Sequence, residues 1–214
     1  MNSSIELLSF YQKRIDHFSV RLSQVKRVIN VISNSRLVVA AAFILALYVG
    51  RDDHFYFLLP LALLFVYLMQ RHAIVFKQKT QLENLVLCNA IEVQLLNRDF
   101  NNLDTGVIFA TARHPYERDL DLFGEESVFQ YVNRCNSHEG KKDLSNRLLM
   151  PPSSRADLEA QQHAIKELTE MVEFRQQVQA AAMEMEEQPN DRIQLREWLG
   201  HPRFIYGKSV YRTI

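Results

Sequence analysis

Two charge-free apolar runs stand almost back to back: LVVAAAFILALYV at 37–49 and FYFLLPLALLFVYLM at 55–69. Only GRDDH (50–54) separates them. A helix that is apolar all round must be covered on every side, by protein or by lipid. Two in tandem are hard to cover inside a chain of 214 residues. A buried soluble hairpin is the competing arrangement. Each run falls short of the roughly 20 residues that cross a bilayer, but each extends. The first runs back past Arg36, which can snorkel, and the second runs on past Arg71. The expected spans are 33–50 and 55–72. Such a pair, starting this far into the chain, is not laid out like a secretory signal peptide. Pro60 is expected to kink the second span, which membrane helices tolerate.

Charge orients the hairpin. Lys13, Arg14, Arg21, Lys26, Arg27 and Arg36 precede the first run, and Arg71, Lys77 and Lys79 follow the second. The turn holds one Arg and two Asp. The positive-inside rule places both termini in the cytoplasm and the turn outside, a multi-pass membrane topology.

The flanks carry their own pattern. Leu8, Tyr11, Ile15, Phe18, Leu22, Val25, Ile29 and Ile32 follow one another at alternating steps of three and four, a heptad seam. Leu82, Leu85, Val86, Val93 and Leu96 form a second helical stripe with Asn89 inside it. With the turn centred near Asp52, Leu8 and Leu96 are equally far from it. The flanks are thus expected to pack antiparallel within one chain, Leu22 near Leu82 and Ile29 near Val75. A parallel dimer uses the same seam equally well. Residues 1–100 form this unit.

NRDFNNLDTG (97–106) is polar and turn-rich, and 101–118 reads as a linker. Glycine is scarce and helical periodicity persists beyond it, so the class is all-α. GEESVFQYVNRC predicts a helix with Val128, Phe129, Val132 and Cys135 on one face. Ser137 caps the next, with Leu144 and Leu148 as core, and Pro151-Pro152 ends it. Ser154 and Asp157 open a third helix bearing Leu158, Ile165 and Leu168; a fourth runs over 171–188.

Over 119–179 this half resembles the start of the helical core domain of MutS-type mismatch-repair ATPases. The resemblance rests on Leu122, Ser127, Phe129, Asn133, Ser137, Gly140, Leu144, Leu148, Pro151, Leu158, Gln162, Ile165 and Leu168. The chain departs from that pattern at Arg147, often Trp in the family, and at Gln161, often Arg. With a hydrophobic hairpin where the mismatch-sensing domain belongs, it is similar to a membrane-associated MutS-like branch. The resemblance implies a partial core domain at 119–200 that acts as a conformational lever. It implies mismatched-DNA binding, ATP, magnesium and dimerisation for the full-length protein, through an ATPase domain expected beyond Ile214. FGE at 123–125 lies inside the core pattern, so it reads as a helix start and not as the family's mismatch wedge.

No nucleotide site is expected in the chain itself. Gly207-Lys208-Ser209 ends like a P-loop, but Pro202 stands where the loop glycine is required and has no N–H to give a phosphate. Residues 201–214 read as a basic linker at a truncated end. No catalytic, cofactor or metal residue is assigned. Glu117, Asp119 and Asp121 read as a solvated lead-in, and Gly140 as a point of close backbone packing. Cys88 and Cys135 lack metal-ligand spacing and read as reduced thiols. Acidic and basic residues balance at 25 each, which opposes a strong nonspecific grip on DNA. The alternative function is therefore a membrane scaffold that binds protein partners and no DNA.

Overall fold

The computed structural model describes residues 2–49, 55–111, 114–150, 154–185 and 191–200. The described residues are helical with connecting turns. The first 49 residues contain no Gly or Pro, and α1 runs unbroken over Asn2–Val49, about 72 Å at 1.5 Å per residue. The second helix, α2, covers Phe55–Leu96 and continues through Pro60 as one helix. The turn at 50–54 lies outside the described residues.

The two helices pack along their length as an antiparallel pair. Lys26 meets Glu83 at 3.0 Å, and further toward the turn Arg36 lies over the Phe65 ring, 5.7 Å from its centroid. All eight heptad-seam residues are buried or half-buried, and the seam faces α2 of the same chain. Of the two arrangements open to the seam, the structure takes the intrachain one. Leu22 and Leu82 join one apolar cluster with Phe18, Val25, Leu85, Val86 and Cys88, as the expected register requires.

A glycine would be the usual stop for α2; here Arg98 takes the left-handed conformation at φ 57°. Arg98 N–H donates to the Leu95 carbonyl and Asp99 N–H to that of Gln94, the double bond of a Schellman cap.

The segment expected as a linker is packed. A 3-10 turn, Val107–Phe109, follows Gly106, and Asp104 pairs with Lys141 at 2.7 Å. Glu117 is buried, not solvated: its Oε2 accepts from the N–H and hydroxyl of Thr111 at 2.9 and 3.1 Å. Beyond this segment come α3 (Val128–Val132), α4 (His138–Leu149), α5 (Arg155–Glu170), α6 (Val172–Ala182) and α7 (Asp191–Gly200).

The division expected near residue 100 is not where packing divides. Helix α6 lies on the α1–α2 pair, and Ala180, fully buried, belongs to the cluster of Phe18, Leu82, Leu85 and Cys88. Hairpin and C-terminal half share that core.

Candidate functional site

Two features of this fold go beyond structure-building: an uncovered apolar surface at one end of the hairpin and a polar joint at the other.

The apolar surface follows from the seam. Seam positions account for one stripe of each helix; the remaining faces of 37–48 and 58–69 are also apolar, with none of the described residues against most of that surface. Leu37 is 73% exposed, Ile44 65% and Leu63 62%. Both helices are long and apolar enough to cross a membrane, and in the most apolar window of each only 6% of residues are buried. A core helix of a soluble protein is covered where it is most apolar; these are bare there. Arg36, on the seam, has a buried Nε with no hydrogen-bond partner and sets its guanidinium over Phe65.

The joint is built where α6 meets the flanks. Gln176, buried, accepts at Oε1 from Arg14 Nη2 (2.8 Å), Arg14 Nε (3.1 Å) and Asn89 Nδ2 (3.1 Å). Its own Nε2 donates back to Asn89 Oδ1 at 2.8 Å. Asn89, with no exposed surface, also donates to the Leu85 carbonyl. Arg14 bonds Glu173 at 2.8 Å and lies over the rings of Phe10 and Phe18. Around this centre Asn84 donates to the Ala180 carbonyl, Asn136 to that of Gln179, and Arg134 clasps Glu92 at 2.6 and 2.9 Å. A network with its polar atoms matched holds three helices in one geometry. The hydrogen bond from Arg14 holds the Glu173 carboxyl below its usual range. A lowered carboxyl contributes stability above its unfolded pKa, and that contribution disappears as pH falls through the folded value.

Cys88 lies beside the joint, with Met183 Sδ 3.9 Å from its sulfur. Burial, then the Glu92 charge, pushes its thiol up to about 11. Burial also raises Cys135. Alkylation of Cys88 near pH 8 is expected to run at least about a hundredfold slower than that of a free thiol while α6 is docked. Rapid labelling in the folded protein, followed by mass spectrometry, would show α6 undocked.

The family-pattern positions mostly build local structure. Ser127 caps α3 by accepting from Gln130 N–H; Ser137 caps α4 from Gly140 N–H; Ser154 caps α5 from Asp157 N–H. Phe129 is fully buried between Phe109 and Phe123. Asn133 Oδ1 accepts from Cys135 N–H. Several expectations are corrected. Helix α3 is short, so Val128 and Val132 stay exposed and Cys135 lies beyond its end. Leu144 and Leu148 are half-buried, and Ser145 is the buried residue of α4. A Cβ on Gly140 would meet the Ser137 hydroxyl at 3.0 Å and the Cys135 side chain at 3.3 Å, so its close neighbours are local side chains. Leu158, Gln162, Ile165 and Leu168 are exposed on α5. The fourth helix is α6, ending at Ala182. Pro151 and Gly207-Lys208-Ser209 lie outside the described residues.

Asn89 was visible in the sequence as a polar break in an apolar stripe. Arg14, Gln176 and the Arg134–Glu92 pair carried no such mark, since their partners lie on distant segments. Among the described residues no three His, Cys, Asp or Glu side chains gather as a metal site. Comparison with known protein families, characterised proteins and solved structures finds no match for this chain.

Proposed function

We propose that this chain is a membrane anchor joined to a helical lever. Residues 33–50 and 55–72 cross the bilayer, both termini lie in the cytoplasm, and the Arg14–Gln176–Asn89 joint transmits movement between the anchored flanks and the C-terminal half. The observation that carries the reading is the bare apolar surface at the hairpin's most apolar windows. In this reading the full-length protein is a membrane-associated relative of the MutS-type ATPases, with ATP, magnesium and mismatched DNA handled outside this chain. The support is the residue pattern at 119–179.

A protein-binding scaffold without DNA contact is the second reading. It is favoured by α5, whose Leu158, Ile165 and Leu168 are exposed on a helix with no buried residue. Binding of a mismatched duplex by the full-length protein, lost when ATP-site residues beyond this chain are changed, separates the two.

Topology tests the anchor. The chain is expected to stay with membranes through an alkaline carbonate wash. A cysteine at Asp52 is expected to react with an impermeant maleimide in intact cells, and one at Ser3 only after lysis. Labelling at Ser3 alone in intact cells reverses the orientation; release by carbonate removes the anchor.

A further inference from the structure

The chain's zero net charge hides a separation along the hairpin. Residues 17–50 and 55–82 contain no Asp or Glu, yet hold seven Lys and Arg. Acidic residues resume at Asp16 on one helix and at Glu83 on the other, further from the turn. Measured from position 52 at 1.5 Å per residue, Arg36 and Arg71 lie about 24 and 28 Å along the helices. Arg27 and Lys77 lie at about 37 Å, and Lys26 and Lys79 at about 40 Å. With the turn at the far face, a hydrocarbon core of about 30 Å ends at the first tier, and the headgroups fall at the second. Cations thus form a collar where the bare apolar surface stops.

The collar goes all the way round. At the headgroup tier Arg27 and Lys77 project from the sides opposite the seam and are exposed, while Lys26 and Lys79 flank the seam; Arg71 at the first tier and Arg21, further out at about 46 Å, are also exposed. None of Arg21, Arg27, Arg71 and Lys77 makes an ion pair among the described residues. Lys26 and Lys79 share Glu83, at 3.0 and 3.5 Å, leaving one carboxylate between two ammonium groups. A duplex lies along one side of its protein and needs a one-sided stripe. A leaflet surrounds whatever passes through it.

We propose that this collar binds the anionic headgroups of the leaflet through which the hairpin enters, so that the anchor selects acidic membranes over neutral ones. The inference rests on the membrane-anchor reading and adds lipid selectivity to it. Free basic groups at a headgroup surface each gain from the local negative potential, and the gain is screened by salt.

The test uses the full chain reconstituted in bilayers, with spin-labelled phosphatidylserine or phosphatidylcholine as the probe. Phosphatidylserine is expected to associate about fivefold or more over phosphatidylcholine at low salt. The preference is expected to fall toward one at about 0.5 M salt, and to do so at low salt in the combined variant Arg21→Gln, Arg27→Gln, Arg71→Gln and Lys77→Gln. Equal association of both lipids with a fully reconstituted chain overturns the selectivity and leaves the anchor standing. Failure to enter any bilayer overturns both. A short DNA duplex that binds the chain in neutral bilayers, and is lost in the combined variant, assigns the collar to nucleic acid and also overturns the proposal. So does inorganic phosphate, if it displaces labelled phosphatidylserine far better than chloride at equal ionic strength.

Discussion

Phe129→Ala is expected to lower stability by about 4 kcal/mol, read from denaturant unfolding of the chain in neutral detergent. The side chain has no exposed surface, and its ring sits 5.8 Å from that of Phe109 and 5.6 Å from that of Phe123. Truncation removes the ring from three segments at once: the 3-10 turn, the 121–126 loop and α3. That loop is pinned by backbone hydrogen bonds from Gly124 N–H to Thr105 and from Val128 N–H to Asp121, and it holds Asp121 and Glu126 at positive φ, so it cannot easily collapse into the space. Gly106 supplies an independent check. It has φ +65°, and a Cβ there would lie 2.5 Å from the Phe129 ring. Gly106→Ala is expected to destabilise strongly in the native chain and less in Phe129→Ala, because the clash goes while the backbone strain stays. Additive losses would mean that the ring does not set the position of the turn.

What was legible in the sequence was whatever repeats locally. Heptad spacing from Leu8 to Ile32 fixes a face, and that face meets α2. Ser137 and Ser154 announce α4 and α5 because a cap needs only its own next three residues. The 101–118 segment reads as a linker in the sequence because its order comes from single polar contacts, such as Glu117 to Thr111 and Asp104 to Lys141, with no period to reveal them. Left-handed Arg98, Asn102, Asp121 and Glu126 stand where glycine would have flagged a turn. The joint was the hardest to see. The buried face of α6 presents Gln176 and Ala180, a polar and a small residue, where a docking face is ordinarily sought among large apolar ones. Arg14 and Gln176 are 162 positions apart, and nothing in either neighbourhood names the other.

That joint makes the sharpest demand on the lever reading. Gln176→Leu is expected to cost about 3 kcal/mol, because it strands the buried Asn89 amide and takes two hydrogen bonds from the half-buried Arg14 guanidinium. Asn89→Leu is expected to cost about 2 kcal/mol for the same reason, seen from the other side. The two changes together are expected to cost clearly less than the summed singles, since the reciprocal amide pair leaves as a unit and two apolar side chains replace it; a coupling of about 1–2 kcal/mol is anticipated. Arg14 keeps Glu173 in the double variant, so its charge is not abandoned. Alkylation of Cys88 supplies the readout that stability alone lacks: each single variant should expose the thiol by loosening α6, and the double variant should protect it again. Simple additivity, with Cys88 equally slow in all three, would show α6 held by its apolar contacts through Ala180 and Met183. The polar pair would then be a passive filler, and the coupling between anchor and C-terminal half would have to be sought at Arg134–Glu92.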